Sequence, residues 1–165
     1  MVVVYVGGAS TDEPLATIFS SSKAFDVIKC DIKRGNIAEW HEENKRIVED
    51  TLRKAAWRYG DVIAVGKSYG VRLILEAASK VDRGIRKVVL LSPPLWNQNK
   101  GEPYPPLSLP RDKEVLIIYG LSDPYVRQKL LPRAPNVKVV SLPGDHSLRP
   151  LTNSKVELLL KLITE

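Results

Sequence analysis

The sequence has 165 residues, of which 44% are hydrophobic and 27% charged, a composition typical of one soluble globular domain over residues 1–165. The formal net charge is +6, but basic residues are interspersed with acidic ones, which favours an ordinary solvated surface over a nucleic-acid-binding stripe. No stretch approaches the roughly twenty apolar residues of a membrane span, and the apolar run at the start is too short for a signal peptide. We therefore expect a cytoplasmic monomer or homodimer that binds neither nucleic acid nor membrane.

Cysteine and glutamine usage indicate the cellular setting. Cys30 is the only cysteine, so an internal disulfide and a thiolate metal cluster are excluded, in agreement with a reducing compartment. Lysine, arginine and glutamate are plentiful, whereas glutamine occurs only at Gln98 and Gln128. This balance indicates a heat-adapted host, because charged networks stabilise proteins better at high temperature.

Six short apolar runs predict strands that are buried on both faces, because their apolar residues follow one another without polar alternation. The predicted strands are Val2–Val6, Phe25–Ile28, Val62–Val65, Lys87–Leu91, Val115–Tyr119 and Val137–Ser141. Helical patterns separate several of them. Alternating strands and helices predict an α/β fold: a doubly wound, mostly parallel six-stranded sheet with helices on both faces.

The clearest helix is predicted to begin at Asn36, because Asn36 and Glu39 have the spacing of a capping box and apolar residues then recur every three or four positions. Three more helices are predicted: from Ser68 to about Lys80, from Pro124 onward, and from Asn153 to Ile163 with Val156, Leu159, Leu160 and Ile163 facing inward. The segment Ser92–Asp112 contains six prolines, which exclude a regular helix and stiffen the loop.

The motif Gly66-Lys67-Ser68-Tyr69-Gly70 matches G-x-S-x-G between a predicted strand and a predicted helix, the setting of a nucleophile elbow. A P-loop is the rival interpretation, but five residues rather than four separate Gly60 from Gly66, and they include strand residues. A tight turn with an incidental serine is the remaining alternative. The motif therefore favours Ser68 as a nucleophile.

A serine nucleophile needs a base, and only two histidines exist. His146 follows the last predicted strand, at the sheet edge where open α/β sheets build their sites. His41 lies in the first turn of the long helix, and we expect it to be a surface residue. Asp123 follows the strand before, giving the chain order Ser, Asp, His, and Asp123 could also cap a helix at Pro124. Asp145 adjoins His146 and would point elsewhere, and Asp112 precedes its strand at the wrong edge.

These residues resemble the α/β-hydrolase superfamily, and specifically its small, capless, esterase-like members, from Val2 to Ile163. The resemblance implies two backbone oxyanion donors: Tyr69, after the nucleophile, and Gly8 in the turn after the first strand, with Ala9 as the alternative. The sequence departs from the family at three points. Val6 replaces the usual histidine of that turn, and two early antiparallel strands are missing. The proline-rich loop replaces a cap.

We therefore expect a serine hydrolase with the triad Ser68, Asp123 and His146, which needs no cofactor or metal and acts on small-molecule carboxylic esters. An open, capless site favours short acyl chains. Amide, thioester or peptide bonds are alternative substrates, and a non-catalytic interaction protein is the alternative function. We expect Cys30 to be structural. Candidates for an acyl-pocket wall, or equally for core or surface packing, are Leu95, Trp96, Tyr104 and Leu107.

Overall fold

The computed structural model describes residues 1–10 and 14–165, and its centre is a six-stranded sheet in the order β2-β1-β3-β4-β7-β8. All five neighbouring pairs in this sheet are parallel. The strands are β1 (Val2–Val6), β2 (Asp26–Lys29), β3 (Val62–Lys67), β4 (Ile85–Leu91), β5 (Trp96–Asn97), β6 (Glu102–Pro103), β7 (Glu114–Gly120) and β8 (Val137–Leu142). β5 and β6 form a separate antiparallel hairpin.

Among the described residues, four α-helices cover the two faces of the sheet: α1 (Pro14–Ser21), α2 (Ile37–Tyr59), α3 (Tyr69–Ser79) and α4 (Asn153–Thr164). Alternate strand residues point to opposite faces, so β1 sends Val4 toward α2 and α3, and Val3 toward α1 and α4. Both faces are apolar, which explains the continuous hydrophobic runs of the strands. The predicted doubly wound, parallel α/β architecture is confirmed.

The helix predicted from Pro124 is wrong, because only a single 3-10 turn forms, at Gln128–Leu130. The carbonyl of Tyr125 accepts hydrogen bonds from the N–H groups of Leu95 and Trp96, at 3.0 and 2.8 Å, instead of from the next helical turn. Pro132 also lacks the N–H that a continuing helix would need. The segment after β7 is therefore held by the proline-rich loop rather than by its own helical bonds.

Two details of the other helices also differ from expectation. Asn36 precedes α2 with ψ of 84° and makes no side-chain capping bond, so the predicted capping box does not form; Glu39 donates its N–H to the Asn36 carbonyl instead. In α4 the buried residues are Leu159, Leu162 and Ile163, while the predicted Val156 and Leu160 are only partly buried. Helix α1 had no counterpart among the predicted helices.

The proline-rich segment contains no helix, as predicted, and is pinned to the body of the protein. Arg72 of α3 donates from Nη2 to the carbonyls of Pro94 (3.1 Å) and Pro105 (2.9 Å). Among the described ranges, no helix has the length and apolarity needed to cross a membrane.

Candidate active site

Ser68 lies between the last residue of β3 and the first residue of α3, in a backbone conformation that is rare for a residue with a side chain. Its φ is 53° and its ψ −119°. The N–H of Ser68 donates to the carbonyl of Leu91 in β4 at 2.9 Å, which anchors the turn to the sheet. Such strain persists only where the surroundings impose it, and it is concentrated at functional sites. The side chain of Ser68 remains partly exposed.

The two motif glycines are required because the chain segments around Ser68 are in contact. A Cβ on Gly66 would lie 2.5 Å from the carbonyl oxygen of Gly70. A Cβ on Gly70 would lie 2.2 Å from the carbonyl oxygen of Val6 and 2.6 Å from that of Gly7. The start of α3 therefore packs directly against the turn after β1, which explains the spacing of G-x-S-x-G in this chain.

The structure brings the three residues proposed for the triad into one hydrogen-bonded chain. His146 Nε2 lies 2.9 Å from Ser68 Oγ, and His146 Nδ1 lies 2.7 Å from Asp123 Oδ2. Asp123 is buried, at 4% exposure, and its other oxygen accepts the N–H of Tyr125 at 2.9 Å. This arrangement can transfer the Ser68 proton to His146 while Asp123 fixes the imidazole tautomer. Asp123 also does not cap an α-helix, because no α-helix begins directly after it.

The loop that carries His146 is stabilised by Asp145. Asp145 Oδ1 accepts the N–H groups of Ser147 and Arg149, both at 2.9 Å, so this carboxylate faces its own loop and not the imidazole. Burial raises the pKa of Asp145, but the N–H bonds from Arg149 and Ser147 outweigh it and hold that pKa below its usual value. Asp112 forms an ion pair with Lys113 and lies outside the site. Neither carboxylate competes with Asp123.

The loops of Asp123 and His146 are also attached to each other. Ser122 donates its N–H to the carbonyl of Gly144 at 2.9 Å, and Leu121 donates to Leu142 at 2.8 Å. The ring of Tyr125 lies 4.6 Å from the His146 ring, centroid to centroid. The acid and the base are therefore positioned by one connected group of loops.

The four candidate wall residues separate into two groups. Leu95 is buried, and Leu107 packs against the core beside α3. The two aromatic residues each carry an arginine on the ring: Arg127 lies 3.9 Å from the Trp96 centroid and Arg72 lies 5.5 Å from that of Tyr104. These rings therefore form mixed cationic and aromatic surface rather than a plain apolar wall.

The residues proposed as oxyanion donors lie on either side of the packed glycine contact. Tyr69 is the first residue of α3, where a backbone N–H has no partner within the helix. Gly8 follows β1 and is buried, whereas the alternative, Ala9, is exposed. The carbonyl of Gly8 accepts a bond from Arg34 Nε at 3.2 Å. Their roles in binding an oxyanion remain predictions.

The expectation that His41 is a surface residue is met only in part. His41 is partly buried, and its Nδ1 lies 2.9 Å from the hydroxyl of Tyr69, the residue after Ser68. Its neighbour on the same helical face, Asn44, is fully buried at 0% exposure. The sequence contains a pattern that indicates this buried polar face of α2. Asn44 is a polar residue four positions from both Trp40 and Val48, within the apolar stripe of the helix.

Cys30 is buried and far less acidic than a free thiol. Burial is the main cause and raises its pKa to about 11; a bond with Thr51 lowers the pKa, and the nearby charge of Asp31 adds a smaller rise. A thiol with this pKa carries little thiolate at neutral pH and is a poor nucleophile. Within the described residues, no three His, Cys, Asp or Glu side chains group as metal ligands would.

Comparison with solved structures identifies the fold. A Xanthomonas campestris protein described as belonging to the alpha/beta superfamily of hydrolases matches with a TM-score of 0.71 at 16% identity, over 99% of this chain and 98% of that one. Alpha/beta hydrolase domain-containing protein 10 from mouse matches with a TM-score of 0.67 at 19% identity, over 99% and 88%. A thioesterase domain from the curacin biosynthetic pathway matches with a TM-score of 0.70 at 15% identity, over 99% and 90%.

No protein-family model and no curated protein matches the sequence. The structural matches extend over nearly the whole chain, and the resemblance noted in the sequence is confirmed at the level of the fold. The protein has the α/β-hydrolase fold.

Proposed function

We propose that this protein is a serine hydrolase that cleaves carboxylic esters through an acyl-enzyme intermediate. The observation that carries the proposal is the hydrogen-bonded chain from Ser68 through His146 to the buried Asp123. Serine in a strained elbow with a base and an oriented acid within bonding distance is the arrangement that activates a hydroxyl group. Structural neighbours described as a hydrolase and a thioesterase support acyl transfer as the reaction class.

In the proposed mechanism, His146 removes the Ser68 proton as Oγ attacks the ester carbonyl. The Tyr69 and Gly8 N–H groups stabilise the oxyanion, and Asp123 stabilises the imidazolium that forms. His146 then gives its proton to the leaving alcohol, which departs and leaves an acyl group on Ser68. Water, deprotonated by His146, attacks this acyl group and releases the carboxylic acid.

We further propose that short acyl chains are preferred. Ser68 and His146 are both partly exposed, and the loop that stands in the place of a cap presents arginine-covered rings. A long acyl chain gains about 0.8 kcal/mol for each methylene that it buries, and this gain requires an apolar groove. Charged surface beside the site offers little of that gain.

A fluorophosphonate probe tests the proposed nucleophile. We expect labelling at Ser68, read by mass spectrometry of the labelled peptide, and a loss of about 10⁴-fold or more in kcat on an aryl acetate in Ser68→Ala. Ser122→Ala is the matched control, because Ser122 is an exposed serine at the same sheet edge and outside the hydrogen-bonded chain. A folded wild-type protein that is neither labelled nor active would favour the non-catalytic alternative.

A series of p-nitrophenyl esters from acetyl to palmitoyl tests the acyl preference. We expect kcat/KM to be highest for the shortest chains. A steady rise beyond octanoyl would show that the proline-rich loop forms a lipid-binding wall and would replace the short-chain proposal.

A further inference from the structure

We propose that His41, Asn44 and Arg34 are positioning residues that hold the two oxyanion donors, Tyr69 and Gly8, at a fixed separation. This inference rests on the proposed function, because it concerns how the same site is kept in order. It assigns a role to residues outside the Ser68–His146–Asp123 chain.

The Tyr69 side of the arrangement is a hydroxyl held by two residues of α2. Tyr69 Oη lies 2.9 Å from His41 Nδ1, and Asn44 Nδ2 donates to it over a longer 3.5 Å. Burial raises the pKa of the Tyr69 phenol, although the bond from Asn44 lowers it, so the hydroxyl keeps its proton. With Asn44 donating to the oxygen, the phenolic O–H can donate to His41 Nδ1 when that ring nitrogen carries no proton.

The same Asn44 side chain connects α2 to the loop that follows β2. Its Oδ1 accepts the N–H of Lys33 at 2.7 Å, and its Nδ2 donates to the Lys33 carbonyl at 2.8 Å. Both polar ends of this fully buried amide are therefore satisfied by one backbone residue. Movement of the loop relative to α2 would break both bonds and leave the buried Asn44 amide without these partners, which is costly.

The next residue, Arg34, extends the connection to the second donor. Its Nε donates to the Gly8 carbonyl at 3.2 Å. The path from Tyr69 to Gly8 thus runs through Asn44, the backbone of Lys33 and the guanidinium of Arg34, with His41 as a second support for the Tyr69 ring. We call this set the donor frame; its members are Tyr69, His41, Asn44, Lys33, Arg34 and Gly8.

A frame of this kind matters because an oxyanion site depends on small displacements. Donors stabilise the transition state when they already point to where the charge develops, and errors of about 1 Å cost large factors in rate. The glycine contact between α3 and the β1 turn sets how close the two segments come. The donor frame opposes their sliding apart.

The test uses side chains of matched shape. His41→Asn places an amide where Nδ1 lies, whereas His41→Leu places a methyl group there; likewise Arg34→Gln keeps a donor at the Nε position and Arg34→Met removes it. We expect Tyr69→Phe, His41→Leu and Arg34→Met each to lower kcat on an aryl acetate about tenfold with KM within about twofold. The amide variants, His41→Asn and Arg34→Gln, should stay within about threefold of wild-type kcat.

The second readout is inhibition by phenylboronic acid, which forms a tetrahedral adduct with an active serine and so requires the same donors. In the three lowered variants we expect the inhibition constant to rise by the same factor by which kcat falls. Tyr59→Phe is the control: it removes a phenol hydroxyl from the exposed end of α2, and we expect wild-type values.

The outcomes separate this inference from the proposed function. An active wild-type enzyme in which Tyr69→Phe, His41→Leu and Arg34→Met keep full kcat and boronate affinity would overturn the donor frame alone. The donor frame would also be overturned if the loss of kcat in these variants paralleled a fall in their thermal midpoints and the amide variants did not restore kcat. Such a result would show that the residues have a purely structural role. Absence of probe labelling and turnover in the wild type would instead overturn the proposed function.

Discussion

Ser68 and its two partners are positioned by different kinds of structure. Ser68 lies between a buried strand and a buried helix, and its neighbours Gly66 and Gly70 have no space for a methyl group. Asp123 and His146 lie on irregular loops that are held by a set of hydrogen bonds, such as those from Tyr125 to Asp123 and from Ser147 to Asp145. Packing dominates the geometry of the first region, and polar contacts dominate that of the second, apart from the close approach of Gly120 to the carbonyls of Gly144 and Asp145.

This difference indicates how each region should respond to mutation. In the elbow, an added atom meets backbone that cannot move, so the cost falls on folding. In the loops, a changed polar atom alters the proton path while the backbone stays in place, so the cost falls on the reaction. Stability and turnover should therefore separate between the two regions.

The largest effect is expected for Asp123→Asn in the loops. The amide would donate to His146 Nδ1 and leave the ring proton on Nε2, which then cannot accept the proton of Ser68. We expect kcat on an aryl acetate to fall about 10⁴-fold with little change in thermal midpoint. Asp112→Asn, which changes a carboxylate outside the site, is the control. A loss below tenfold would argue against Asp123 as the orienting acid.

Gly70→Ala tests the elbow. Because its Cβ would lie 2.2 Å from the Val6 carbonyl oxygen, we expect the free energy of unfolding to drop by about 3 kcal/mol in urea. Gly101→Ala is the comparison, since Gly101 has φ of 63° and open space around it. Strain alone should cost about 1 kcal/mol there. Equal losses at the two positions would show that steric contact does not distinguish the elbow.

Ser92 lies between the two regions, and its substitution is expected to raise the free energy of unfolding by a smaller amount than Gly70→Ala lowers it. It follows β4 with φ of 49°, is fully buried, and its Oγ has no hydrogen-bond partner among the described residues. Ser92→Ala removes a buried, unsatisfied hydroxyl and keeps the backbone, so we expect a gain of about 1 kcal/mol in urea unfolding. Destabilisation would instead reveal that the hydroxyl has a bonding role.

The smallest expected effect is the pH dependence of the His146 loop. The pKa of Asp145 is lower in the folded protein than its ordinary value near 3.8, so its charge stabilises the fold above that value and the contribution is lost as pH falls through the lower folded pKa. Asp145→Asn should therefore be less stable than wild type at pH 7, and the difference should shrink as pH falls below 3.8, as urea unfolding over a series of pH values would show. A difference that persists at low pH would contradict this.

The strands and the elbow could be predicted from the sequence because their evidence is local. An unbroken β-branched run such as Val2–Val6 indicates a strand buried on both faces, and G-x-S-x-G is explained by contacts within a few residues and one neighbouring turn. The chain order of Ser68, Asp123 and His146 likewise placed all three at one sheet edge, where the structure brings them together.

What the sequence did not predict depends on contacts between distant segments. The bond between His41 and Tyr69 joins residues 28 positions apart and arises only from the way α2 packs on α3. The helix expected at Pro124 is prevented by Leu95 and Trp96, which lie about thirty positions earlier and use the Tyr125 carbonyl. Local propensity cannot report such competition for a backbone group.

Gly120 limits how the surface around His146 can be rebuilt by protein engineering. A Cβ at this last residue of β7 would lie 2.4 Å from the carbonyl oxygens of both Gly144 and Asp145. The loop after β7 and the His146 loop therefore form one unit. If one of them is replaced by a loop from another protein, the other has to be replaced by the matching loop of that same protein. By contrast, Gly101 has open space around it, so the tip of the β5–β6 hairpin is the natural insertion point for a transplanted lid.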